Sequence, residues 1–189
     1  PGHAYDEQLS GQRTTPVADT TPEGLYLTEI AGNTIEWPQN DAAWEMFDYF
    51  EIINTNEFPV TLNEDYEFVY WDRDRRTREK LTVRNYDIEN GSEQQNSSSE
   101  GCVLEPGEVA VIWVYNKDYD GSEGPQPTIS DFIGWHEFNN DITEADNTKI
   151  YIVTELAQLG NVKSAIEIYA KPEDGGTRGE LISRYLWDG

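Results

Sequence analysis

The chain has 189 residues, with 37 Asp and Glu against 13 Lys and Arg, for a net charge of −24. Charge of that sign repels phosphate backbones and anionic membrane surfaces, so general nucleic-acid binding and membrane adsorption are disfavoured. One Cys and two His leave too little material for a zinc site, a thiol paired with a base, or a dinuclear hydrolase centre.

Residues 1–23 read as a linker or poorly ordered arm: Thr14, Thr15, Pro16, Asp19, Thr20 and Thr21 offer few apolar groups to bury. A single domain is expected from residue 24 to residue 189. The start has neither a basic flank nor an apolar run, so no signal peptide is visible. With no initiator Met either, the chain is expected to be a piece of a longer polypeptide. No run of apolar residues reaches the length of a membrane-spanning helix, so no membrane insertion is expected.

Period-2 alternation begins at Leu25 and predicts a strand to Ile30. A loop carrying Trp37, Pro38 and Trp44 follows, then a strand over Tyr49–Asn54. Asn54-Thr55-Asn56-Glu57 is a turn set, because Asn side chains bond the local backbone. A short strand is expected at Val60–Leu62 and a stronger one at Tyr66–Trp71. A return strand over Arg78–Tyr86 would make the two a hairpin. Residues 89–101 are polar and low in complexity, and read as an exposed loop. A turn at Leu104–Glu108 leads into Val109–Tyr115, a continuous apolar run expected to be the most buried strand.

Residues 129–139 are the one helical candidate, with Ser130 as cap and Asp131 at the positive end. Strands are expected at Lys149–Thr154, Ser164–Tyr169 and Leu181–Trp187. Eight or nine short strands with one helix point to an all-β sandwich.

Four segments, in order, resemble the lamin tail domain family. Leu25-Tyr26-Leu27-Thr28-Glu29-Ile30 is similar to its first strand. Phe50-Glu51-Ile52-Ile53-Asn54-Thr55 resembles its aromatic-Glu-apolar-apolar-Asn strand, and Phe58-Pro59-Val60-Thr61-Leu62 the segment after it. Leu104-Glu105-Pro106-Gly107-Glu108 with Val109–Trp113 resembles its turn and following strand. Ile129–Phe132, Asn139–Ile142 and Lys149-Ile150 extend the likeness toward the bacterial branch. The resemblance implies an immunoglobulin-like β-sandwich with a short helix near residues 129–139. It also implies a bacterial, secreted or cell-surface parent, in which such modules often precede a calcineurin-like metallophosphoesterase domain. Their implied role is accessory: contact with neighbouring domains, other proteins or cell-wall polymer. The family offers no shared catalytic residue. His3 and His136 could not supply a dinuclear site.

Several residues are candidates for chemistry. Glu29 and Glu51 could be an acid/base pair or simply structural, as could Asn54. Cys102, without a second Cys, reads as a small buried hydrophobe. Asn116, Asp118, Asp120 and Gly121 fit the first half of a calcium loop, but Pro127 stands where a bidentate Glu is required. Calcium is therefore an optional ligand, and no cofactor is required.

Arg73, Arg75, Arg76, Arg78, Lys80 and Arg84 concentrate positive charge in one hairpin. Asp72, Asp74 and Glu79 reduce residues 72–84 to a net +3, against −27 for the rest of the chain. This hairpin is either a solvated tip or a contact for an acidic surface, which added salt would weaken. Trp37 and Trp44 are the aromatics most suited to exposure; set against core packing, they leave a carbohydrate-binding module as the alternative to the accessory role.

Overall fold

The computed structural model describes residues 23–32, 47–86, 101–116, 127–135, 149–156, 158–160, 163–172, 176 and 179–187. These form β1 (Leu25–Ala31), β2 (Tyr49–Asn54), β3 (Val60–Thr61), α1 (Leu62–Asp65), β4 (Tyr66–Asp72), β5 (Thr77–Leu81), β6 (Arg84–Asn85), β7 (Val103–Leu104), β8 (Val109–Val114), α2 (Ile129–Trp135), β9 (Lys149–Val153), β10 (Ser164–Ala170) and β11 (Leu181–Trp187). One sheet runs β1-β2-β8-β9-β6, a second β11-β10-β4-β5, and β3 pairs with β7. The fold is an all-β sandwich. Its pairings are antiparallel except β8 with β9. A parallel neighbour needs a long connection, and the chain between β8 and β9 carries α2.

The main core lies between the two large sheets. Leu25, Phe50, Ile52, Ala110, Ile112 and Val153 from the first meet Phe68, Tyr70, Leu81, Ile166 and Ile168 from the second. Phe50 and Phe68 touch across the interface with ring centroids 6.4 Å apart. The sheet edges are also joined, since the Leu27 N–H donates to Ser183 Oγ at 3.1 Å.

The apolar run of β8 has a specific cause. Ala110, Ile112 and Val114 face the second sheet. Val111 and Trp113 face the opposite way, into a second core with Phe47, Tyr49, Phe132 and Ile152. There α2 covers the sheet. Phe132 stacks on Trp113 at 4.7 Å and 22°, and meets Tyr49 edge-on at 6.0 Å. A strand buried on both faces has no solvent side, so alternation disappears from its sequence.

Some local expectations are corrected. The alternation from Leu25 breaks at a bulge between Leu27 and Glu29, where Thr28 is the extra residue. Ile30, rather than Glu29, then joins Leu27 against the core. Leu62 begins a helical turn instead of ending a strand, and the Asp65 carboxylate accepts the Thr61 N–H at 2.6 Å. The described residues thus hold two short helices rather than one. The return strand after β4 stops at Leu81, and the chain crosses to the other sheet, where β6 pairs with β9. The crossing is held by Asn63: its Nδ2 donates to Val83 O at 2.6 Å, and its Oδ1 accepts the Val83 N–H at 2.9 Å. Thr128, not Ser130, caps α2. Its hydroxyl accepts the Asp131 N–H at 3.3 Å, and the Asp131 carboxylate accepts the Thr128 N–H at 2.8 Å, a reciprocal box. Residues 136–139, and the arm up to residue 22, lie outside the described residues.

The end of β2 is fixed by Asn54, which is fully buried. Its Nδ2 donates to Phe58 O at 3.0 Å and Leu104 O at 2.9 Å. Its Oδ1 accepts the Asn56 N–H at 3.0 Å and Asn56 Nδ2 at 2.8 Å. The amide thus uses both donors and both lone pairs. Its backbone carbonyl accepts the Gly107 N–H at 2.7 Å, and Gly107 sits at φ +75°. A non-glycine residue there would be strained. Removing this side chain leaves buried carbonyls unpaired, at about 1–3 kcal/mol for each such group. In urea denaturation, N54A should lower stability by about 2 kcal/mol or more. N54D, which turns acceptors toward two carbonyls, should be the worse variant despite its smaller change in shape.

Candidate functional site

The outer face of the second sheet carries charge where the first carries α2. Side chains alternate along a strand, so the partner of each inward residue points out. On β4 the inward set is Tyr66, Phe68 and Tyr70, which leaves Glu67, Val69 and Trp71 outside. Cross-strand registry then makes two rows. One runs Arg184, Glu167, Val69, Lys80, and the other Leu186, Ala165, Trp71, Arg78.

Glu167 sits at the centre of this face and is fully buried. Its Oε2 accepts the Tyr169 hydroxyl at 2.7 Å and Arg78 Nε at 3.4 Å. Arg184 Nη2 lies 2.7 Å from Oε1. That contact is charge proximity rather than an aligned hydrogen bond, since Oε1 receives none. The two arginine side chains, 41% and 36% exposed, roof the carboxylate. Both also lean on Trp71: Arg78 lies 4.3 Å from the ring centroid, Arg184 5.8 Å, and Arg73 5.9 Å. Guanidinium over indole is attractive through the ring quadrupole. At the sheet edge, Lys80 Nζ pairs with Glu67 at 3.7 Å.

The basic cluster is therefore split: Arg84 lies on β6 of the other sheet, paired with Glu155 at 2.6 Å, Lys80 sits at the edge, and the remaining four form two groups. Arg73 and Arg78 join the Trp71 platform. Arg75 is tied at the tip, its N–H donating to Asp72 Oδ1 at 2.8 Å, while its side chain is 83% exposed. Arg76 occupies the same turn at φ 57°. Sequence reasoning missed Arg184 and Glu167. A signal existed for Glu167: a lone carboxylate inside the apolar run Ser164–Tyr169 has to be paired if that strand is buried.

No protein-family model matches this chain, and no curated protein sequence matches it.

Glu29 and Glu51 are direct cross-strand partners in β1 and β2. Thr28 Oγ1 donates to Glu51 Oε1, and the Tyr49 hydroxyl donates to Glu29 Oε1 at 3.1 Å. Burial, then the Glu29 charge and hydrogen bond, push the Tyr49 hydroxyl well above the usual phenol range, so it stays protonated as the donor. Asn116 is buried at the end of β8. Asp118, Asp120, Trp37 and Trp44 lie outside the described residues. No cluster of three or more His, Cys, Asp or Glu suited to a metal occurs among the described residues. Nor is any helix among them long and apolar enough to cross a membrane.

Phe58 and Tyr185 are exposed, whereas three tryptophans are engaged by the protein itself. Trp113 is fully buried, Trp187 packs on Tyr70 at 6.2 Å, and Trp71 is capped by Arg78. Cys102 is also fully buried, its Sγ donating to Val83 O at 3.7 Å. Burial pushes its thiol up to about 11, with only partial offset from the Asn85 backbone and the Arg84 charge. A protonated, enclosed thiol is unreactive. A chromogenic disulfide reagent at pH 8 should therefore leave Cys102 unmodified in the native protein and label it at once in 6 M guanidinium chloride. Rapid native labelling would contradict this placement.

Proposed function

We propose that this chain is a non-catalytic accessory module that positions or anchors neighbouring domains of a secreted or cell-surface bacterial protein, through contacts with protein or cell wall. The observation that carries the reading is the Trp71–Arg78–Arg184 platform: cations organised on one sheet face of a chain whose net charge is −24. Ordered surface charge of one sign on an otherwise opposite surface is what a complementary contact requires.

The lamin-tail reading is part of the proposal. Its four resembling segments fall on β1, on β2, on β3 with the start of α1, and on the turn from β7 into β8; β1, β2 and β8 are consecutive neighbours in one sheet. The titratable groups favour recognition over catalysis. The Cys102 thiol is held protonated, and the Tyr49 and Thr28 hydroxyls each donate one hydrogen bond, to Glu29 and Glu51 respectively.

Co-sedimentation with bacterial envelope fractions tests this role. The purified chain should pellet with envelope material at 0.15 M salt and be released at 1 M, where the Debye length falls to about 3 Å. A chain that stays in the supernatant with every fraction contradicts the reading. So does hydrolysis of an ester, phosphodiester or glycoside substrate that is abolished in E29Q or E51Q.

A further inference from the structure

We propose that the outer face of the β11-β10-β4-β5 sheet is a docking site for an acidic polypeptide segment, whose side-chain carboxylates engage Arg78 and Arg184 beside Trp71. This deepens the anchoring role and rests on it.

The site already holds one carboxylate. Glu167 binds both guanidiniums from beneath, through Arg78 Nε at 3.4 Å and Arg184 Nη2 at 2.7 Å. Among the described residues, neither Nη of Arg78 has a protein partner, and Arg184 has none beyond Glu167 and the Trp71 ring. Guanidinium forks match carboxylates in a plane. Held by Glu167 below and the indole alongside, they lose little freedom when a second carboxylate arrives from outside. Leu186, 50% exposed, shares the outer row with Ala165 and Trp71. It offers an aliphatic contact next to the charges, which suits an acidic segment containing an apolar residue.

Size and charge select a short segment over a long polyanion. Four strands spaced about 4.8 Å apart make a face on the order of 15 Å across. The chain as a whole is acidic, with a net charge of −24. A long phosphate polymer would run onto that repulsive surface, whereas a few carboxylates would not. The same balance sets the salt response. At 0.01 M salt the Debye length is about 30 Å, and the whole −24 opposes an acidic ligand. At 0.15 M it is about 8 Å, and the platform dominates; at 1 M the attraction itself is screened. Affinity should therefore peak near physiological salt.

The test is NMR titration of the indole N–H resonances, with Trp71 assigned from W71F. The probe is an acetylated Glu-Glu-Leu-Glu-Glu peptide, and the control is its Gln analogue. The expected result is a saturable shift of the Trp71 indole with the acidic peptide alone, and binding weakened about tenfold or more in R78Q/R184Q. That double variant leaves Glu167 buried without its cations, so E167Q/R78Q/R184Q provides a neutral, hydrogen-bonding version of the same face and should show the same loss. A silent Trp71, a shift that survives in the triple variant, or tighter binding of inorganic tripolyphosphate than of the peptide would each overturn the proposal. A silent Trp71 with envelope sedimentation intact removes this site alone. Failure of both removes the anchoring reading as well.

Discussion

A buried carboxylate under two arginines sets the character of this molecule's exposed sheet face. Glu167 lies in the middle strand pair of the second sheet with no exposure to solvent. Removing one partner from a buried ion pair costs about 3–5 kcal/mol in a protein interior, because the remaining charge is stranded. Solvent at the half-exposed Arg78 and Arg184 brings that figure down. The sign is unaffected. The carboxylate needs its cations, and the cations are held where the indole of Trp71 can accept them. A surface that could be loose and fully hydrated is thereby given fixed geometry.

The two large sheets solve the same problem in different ways. Each has one face in the shared core. The first covers its other face with α2, which places Phe132 on Trp113 and Tyr49 and turns that side into a second apolar core. The second finishes its outer face with charge, an aromatic ring and the aliphatic stems of arginine. Charged side chains gather on the outer face of the second sheet, whereas α2 occupies that of the first. The Glu29 and Glu51 carboxylates, paired across β1 and β2 of the first sheet, are engaged by Tyr49 and Thr28.

The strand pattern was legible in the sequence wherever one physical effect dominated. Tyr49–Asn54 and Tyr66–Asp72 are β-branched and aromatic, and both form strands. The turn at Asn54 was legible too, because an Asn beside Pro- and Gly-containing segments has local groups to bond. What escaped reading depends on partners distant in the chain. The break at Val83 exists because Asn63 takes both of its backbone groups, twenty residues away. The bulge at Thr28 is defined by pairing with β2, not by anything in β1 alone. Val111 and Trp113 lie on the face of β8 turned away from the core that holds Phe50 and Ile52. A continuous apolar run shows that both faces are covered but not by what, and here the cover on one face is a helix. At the site, the hairpin arginines were visible as a cluster. Arg184 was not, since it reaches Trp71 and Glu167 only through the β10–β11 register.

The central claim is that Glu167 holds the arginines of this face in place. Hydrogen exchange and 15N relaxation of the arginine Nε–H groups, in wild type and E167Q, test it most directly. The account predicts that Arg78 Nε–H exchanges slowly and is rigid, unlike Arg75 and Arg76 at the hairpin tip, and that both differences disappear in E167Q while the backbone spectrum stays folded. An Arg78 Nε–H as fast and mobile as that of Arg76 in the wild-type protein would contradict it.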